Sequence, residues 1–110
     1  MSNTARVTYS KGITDGATTT YDILLDGEKV GTVDRSRETS VVLYAGAGYG
    51  RPVTRTEWWA HGMVPKRDGS GRRSYSNGYG RTTRKDAVTG LIAEMLQVTP
   101  REALAIVETR

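Results

Sequence analysis

The chain has no cysteine and no phenylalanine, one histidine and three prolines in 110 residues. Without cysteine it can form neither a disulfide nor a thiolate metal site. It has no apolar run of about 18 residues, which excludes a transmembrane helix. The first residues, MSNTARVTYSKG, lack the apolar block of a secretory leader. These absences point to the cytoplasm. Leucine, isoleucine and valine number 6, 4 and 10. So few bulky apolar residues can build a modest core, and at least one poorly ordered stretch is expected. The length suits one domain spanning residues 1–110.

Positive charge is plentiful and unevenly placed. The formal net charge is +4. Residues 51–85 alone hold nine cations and only two anions, Glu57 and Asp68, whereas the rest of the chain is net negative. Such a polarised chain can direct a field toward an anionic partner.

The pattern along the chain reads as strands first and helices last. Ala5, Val7 and Tyr9 share one face of a strand over 4–10. KGITDGATTT reads as a loop. In TYDILLDGEKVGTVDR, Asp26-Gly27 is a hairpin turn between strands over 20–25 and 28–34. RSRE is a charged connection, and the β-branched run TSVVLYA (39–45) is a largely buried strand. The glycine-rich GAGYGRP interrupts it, and extended structure resumes at TRTEWWAHGMV. Alternation there sends Trp58 to the core, and Trp59 to a mixed face with Arg55, Glu57 and His61. Residues 64–81 show no apolar period and read as a mobile basic loop, in which RRSYS can add a short strand beside the tryptophan strand. Thr83 caps a helix with Asp86 three residues on. Its stripe is Ala87, Val88, Leu91, Ile92, Met95 and Leu96. Gly90 either weakens this helix or lets it approach the sheet. Thr99, Pro100 and Glu102 start a second helix, with Glu102 returning a bond to the Thr99 amide. The expected class is α+β, an antiparallel sheet of four to six strands with two C-terminal helices on one face.

Most chemistries fail on inspection. YAGAGYGRP has clustered glycines, but a strand follows where a dinucleotide site needs a helix N-terminus. His61 has no neighbouring carboxylate cluster to complete a metal site. DGSGR is a turn composition and not a nucleophile elbow. Asp22 and Asp26 flank a hairpin, where solvation accounts for them. No catalytic motif is recognisable, and no cofactor or metal is implied.

What remains is a basic and aromatic surface. Arg55, Trp59, Arg72, Arg73, Tyr75, Tyr79, Arg81, Arg84 and Lys85 are its candidate residues. Arginine forks bind phosphate oxygens, and rings can stack on unpaired bases. The last three cations lie at the first helix's start, whose amides also favour anions. A nucleic acid, DNA before RNA, is the expected partner. The same residue types also make interface hot spots, so an acidic host protein is the alternative. No membrane partner is expected. A homodimer could form through an exposed edge strand.

The segments YDILLDGEKVGTV, EWWA and GYGRTTRKDAVTGLIAEML resemble small accessory proteins of actinobacteria and their phages. The likeness covers residues 20–97 and rests on the strand hairpin, the tryptophan strand and the Thr-Arg-x-x-Ala-Val helix. In outline it is similar to the three-strand-plus-helix arm-binding domains of phage integrases, which read DNA with the sheet. The resemblance implies a phage-encoded regulatory protein whose sheet face bearing Arg55, Trp59 and His61 meets DNA. This chain adds further strands, a glycine-rich insertion and a second terminal helix to that outline.

Overall fold

The computed structural model describes residues 5–43 and 50–108. It is an α+β fold: a six-stranded antiparallel sheet with two C-terminal helices packed against it. The strands are β1 (Val7–Tyr9), β2 (Ile13–Asp15), β3 (Thr18–Leu25), β4 (Glu28–Leu43), β5 (Gly50–Pro65) and β6 (Arg72–Ser76). The helices are α1 (Arg84–Leu96) and α2 (Pro100–Glu108). The sheet is a meander in the order β1-β3-β4-β5-β6, and β2 shares the outer edge of β3 with β1.

The Asp26-Gly27 turn forms as its composition requires, with φ of 52° and 86°. Two other readings are corrected. KGITDGATTT is not a loop: Ile13–Asp15 pairs with Thr18–Thr20 across a turn at Gly16, whose φ is 63°. RSRE is not a connection: β4 runs through it, pairing residue by residue with β5. A polar sequence is tolerated there because the ladder satisfies the backbone whatever the side chains are. The expected burial of residues 39–45 falls outside the described side chains. RRSYS forms β6 against β5, as expected, so much of 64–81 is paired backbone and not irregular chain.

Alternation sorts the sheet into two faces. Val33 and Ala60, directly paired, are fully buried under α1 together with Ile23 and Val64. Leu91, Ile92, Val88 and Ala87 of α1 meet them. Each such aliphatic side chain contributes about 1.5–3 kcal/mol on burial. The helix approaches closely because Gly31 and Gly62 face each other beneath it. A Cβ on Gly62 would lie 2.7 Å from the Val30 carbonyl oxygen and 3.1 Å from a Leu91 methyl. Ala103 and Ile106 fasten α2 to the same core.

Caps define both helices. The Thr83 hydroxyl accepts from the Asp86 amide at 3.1 Å. At α2, the Thr99 hydroxyl accepts from the Glu102 amide at 3.2 Å. Glu102 does not return its bond to the Thr99 amide; its carboxylate accepts from the Thr99 hydroxyl at 3.0 Å. No helix among the described residues is long and apolar enough to cross a membrane.

The last β3 residue in the ladder, Thr18, pairs with Ser36. Beyond that point the Arg37 amide makes one last bond toward β3, to the Ala17 carbonyl at 3.1 Å, and among the described residues β4 and β5 then pair only with each other, as far as Leu43↔Gly50. The sheet therefore extends past its helical cover as a two-stranded ribbon, and the molecule measures 61 × 30 × 25 Å.

Candidate nucleic-acid interface

At the foot of this ribbon the sheet's helix-side face is no longer covered, because α1 begins at Arg84. The aromatic residues of that strip are Tyr9 on β1, Tyr21 on β3 and Trp58 on β5, all partly buried against the core. Tyr21 and Trp58 stack with centroids 6.1 Å apart and planes inclined by 29°. The Arg84 guanidinium carbon lies 3.9 Å from the Tyr9 centroid and 5.3 Å from that of Tyr21. At the far end, Arg35 lies 5.9 Å from the Trp58 centroid and donates to the Thr19 hydroxyl at 3.4 Å. The result is a continuous row in the order Tyr9, Arg84, Tyr21, Trp58, Arg35, with one ring-on-ring contact between Tyr21 and Trp58. Each exposed cation–π contact contributes about 0.5–1 kcal/mol and leaves the cation's charge in place.

A third guanidinium is set beside the row by Asn77, which is 4 % exposed. Its side-chain oxygen accepts from the Ala60 amide at 2.7 Å. Its nitrogen donates to the carbonyls of Trp58 at 3.1 Å and Tyr79 at 2.9 Å. This fixes the turn after β6 so that Arg81 and Trp58 exchange two backbone hydrogen bonds, of 2.8 and 3.0 Å. The Arg81 guanidinium then lies 4.0 Å from the Tyr79 centroid and donates to the Tyr79 hydroxyl at 2.6 Å.

Among the described residues, Arg35, Arg81, Arg84 and Lys85 make no ion pair. Arg84 and Lys85 also occupy the first turn of α1, where the helix end is already positive. They line an open groove of about 830 Å³ with β1, Val107 and Glu108.

The other candidates lie elsewhere. Arg73 and Arg67 both bind the Glu94 carboxylate, at 2.8 and 3.2 Å, so one negative charge is shared between two guanidinium groups, whose inward donors are engaged there. Tyr75 is half-buried, with its hydroxyl against Gly90 of α1. Burial raises its pKa; Arg81 lowers it, Glu94 adds to the rise and Arg73 opposes it. Arg55, Trp59 and Arg72 belong to the open face of the sheet, which has no helix. Cross-strand rows there run Thr20–Asp34–Trp59 and Asp22–Thr32–His61–Ser76. His61 lies 3.3 Å from Asp34, and Lys29 lies 3.3 Å from Asp22. That face mixes both signs of charge. The described residues include no group of three or more His, Cys, Asp or Glu able to hold a metal ion.

The strip thus brings together Tyr79, Arg81, Arg84 and Lys85 of the sequence candidates with Arg35, Tyr9 and Tyr21, which the sequence reading did not propose, and with Trp58, which packs against the core as expected. No local motif links positions 9, 21, 35, 58 and 84. The one available signal is the alternation that aligns Tyr21 with Ile23 and Trp58 with Ala60 on the same side. No protein-family model, no curated protein and no solved structure matches this chain.

Proposed function

We propose that this protein binds nucleic acid, as a small regulatory protein of the cytoplasm, through the strip at the foot of the ribbon. The observation that supports this reading is the set of guanidinium groups of Arg35, Arg81 and Arg84, held by rings and not by carboxylates. A guanidinium paired with a carboxylate has spent its fork and its charge. One laid over a ring keeps both for phosphate oxygens. Arg84 and Lys85 also oppose the helix dipole, by about 0.3–1 kcal/mol each. Cations set against local stability are expected where function requires them.

The open face is a poorer candidate. Asp22 and Asp34 stand among Trp59 and His61 and would repel a phosphate backbone.

The test is a salt titration of binding to a duplex between about 50 and 200 mM salt. Affinity should fall steeply for the natural chain. Arg81→Gln with Arg84→Gln should weaken binding and reduce the slope of log K against log salt by about 2. Arg67→Gln, which removes a cation held at Glu94 and away from the strip, should leave the slope unchanged. No binding at the lowest salt, or equal slopes for all three proteins, would overturn the reading and favour an acidic protein partner.

A further inference from the structure

We infer that the nucleic acid is a duplex gripped through its phosphates, with the ribbon lying in a groove, and that the rings of the strip support arginines without stacking on bases. This inference rests on the proposed nucleic-acid function and assigns its substrate form.

Single-strand binders present a row of free ring faces on which successive bases stack. Here the rings are already occupied. Arg84 covers Tyr9 and reaches Tyr21, Tyr21 stacks on Trp58, and Arg35 covers Trp58. Tyr79 is the most exposed aromatic of the group at 64 %, and it carries Arg81 over its ring and at its hydroxyl. A base arriving at Tyr9, Tyr21 or Trp58 meets a ring that already carries a guanidinium or another ring.

Those edges suit phosphates held at fixed positions. Arg35 is braced by Thr19, and Arg81 by the paired backbone of Trp58. Rigid donors match a regular double helix better than a strand that can follow any surface. Beyond them the pairs Glu38↔Arg55 to Leu43↔Gly50 project as two strands without a third among the described residues. A two-stranded ribbon is an element that the major groove of a duplex admits. Ribbon and strip are contiguous, because Arg35 and Trp58 are themselves partners in the same ladder.

The test uses fluorescence anisotropy with a labelled duplex of about 20 base pairs and the same strand alone, at low salt. The duplex should bind at least about tenfold tighter than the single strand. Tyr79→Leu should change either affinity by less than about threefold, where loss of a stacking ring would cost about tenfold. A shortened chain in which Asn-Gly joins Arg37 to Thr56 removes the ribbon and leaves the helix-covered sheet, which circular dichroism verifies. It should lose about tenfold or more in duplex affinity. Equal or tighter binding of the single strand would overturn the inference, and so would full duplex affinity without the ribbon. Failure of both probes to bind the natural chain is a separate result: it removes the nucleic-acid reading itself.

Discussion

Gly90 offers a sharp check of how α1 sits on the sheet, because two physical effects predict opposite signs. It lies inside α1, where alanine is preferred by about 0.8–1 kcal/mol. On helix propensity alone, Gly90→Ala should stabilise the protein. A Cβ at this position, however, would collide with the Tyr75 hydroxyl, while the ring carbon bearing that hydroxyl lies at 3.4 Å. The tyrosine ring is stiff and half-buried, and such overpacking costs about 1–3 kcal/mol. The clash therefore wins, and Gly90→Ala should be destabilising by about 1 kcal/mol, lowering the melting temperature by about 3–6 °C. Tyr75→Phe removes only the hydroxyl, which has no protein partner among the described residues, and should be neutral within about 0.5 kcal/mol. In that background the new methyl meets an ordinary van der Waals contact, so the double variant should exceed Tyr75→Phe in stability by about 1 kcal/mol. The four proteins form a cycle with a coupling of about 2 kcal/mol, read from urea unfolding with a common slope. If Gly90→Ala is stabilising in both backgrounds, Tyr75 does not lie over Gly90, and the proposed seating of α1 on β6 is wrong.

Two further outcomes are expected. Asn77→Ala leaves the buried Ala60 amide without an acceptor and frees the Trp58 and Tyr79 carbonyls from one donor. It should cost about 2–4 kcal/mol in urea unfolding, and a loss under about 0.5 kcal/mol would refute the bonding described. Tyr75 has a folded-state pKa raised above the ordinary value of 10.0, chiefly by burial. Above pH 10 the unfolded chain loses this proton first, so the contribution present below that pH is lost as pH rises through the folded value. The difference in melting temperature between the natural chain and Tyr75→Phe should therefore shift against the natural chain as pH rises above about 10; a constant difference would refute it.

The readable parts of the sequence were those whose cause is local. Asp26-Gly27 specifies its own turn, Thr83 and Thr99 specify caps, and the alternation through Glu57-Trp58-Trp59-Ala60 specifies two faces. β2 was unreadable because nothing apolar marks it: Ile13 is 75 % exposed and its partners are threonines. The continuity of β4 was hidden for a related reason. A strand that leaves the helical cover has no core to impose apolar alternation on it, so Arg35-Ser36-Arg37-Glu38 reads as a connection.

The site was half legible for a different reason. Counting charge along the chain singled out residues 51–85, but a linear window cannot know which cations are cancelled. Glu94 lies outside the window, binds both Arg67 and Arg73 within it and offsets one of their two charges. Arg35 also lies outside, yet the β4–β5 register lays it on Trp58. The partner of each arginine, more than its number in the sequence, decides what it can bind. Over a ring a guanidinium keeps its full charge and its outward donors, at a separation from phosphate where a screening length of about 8–10 Å still permits attraction. Beside a carboxylate it contributes chiefly to fastening β6 and the turn before it to α1. The polarity of the molecule follows from this sorting. Cations held by rings collect where α1 begins and the ribbon emerges, cations held by a carboxylate lie toward the other end of α1, and the open face holds both signs. Moving one carboxylate would test that sorting. Glu94→Gln should release two cations on the wrong side and add little to the binding of a polyanion at the ribbon's foot, whereas Thr56→Glu, beside Arg37 and two residues from Trp58 on the same face, should weaken it by about tenfold.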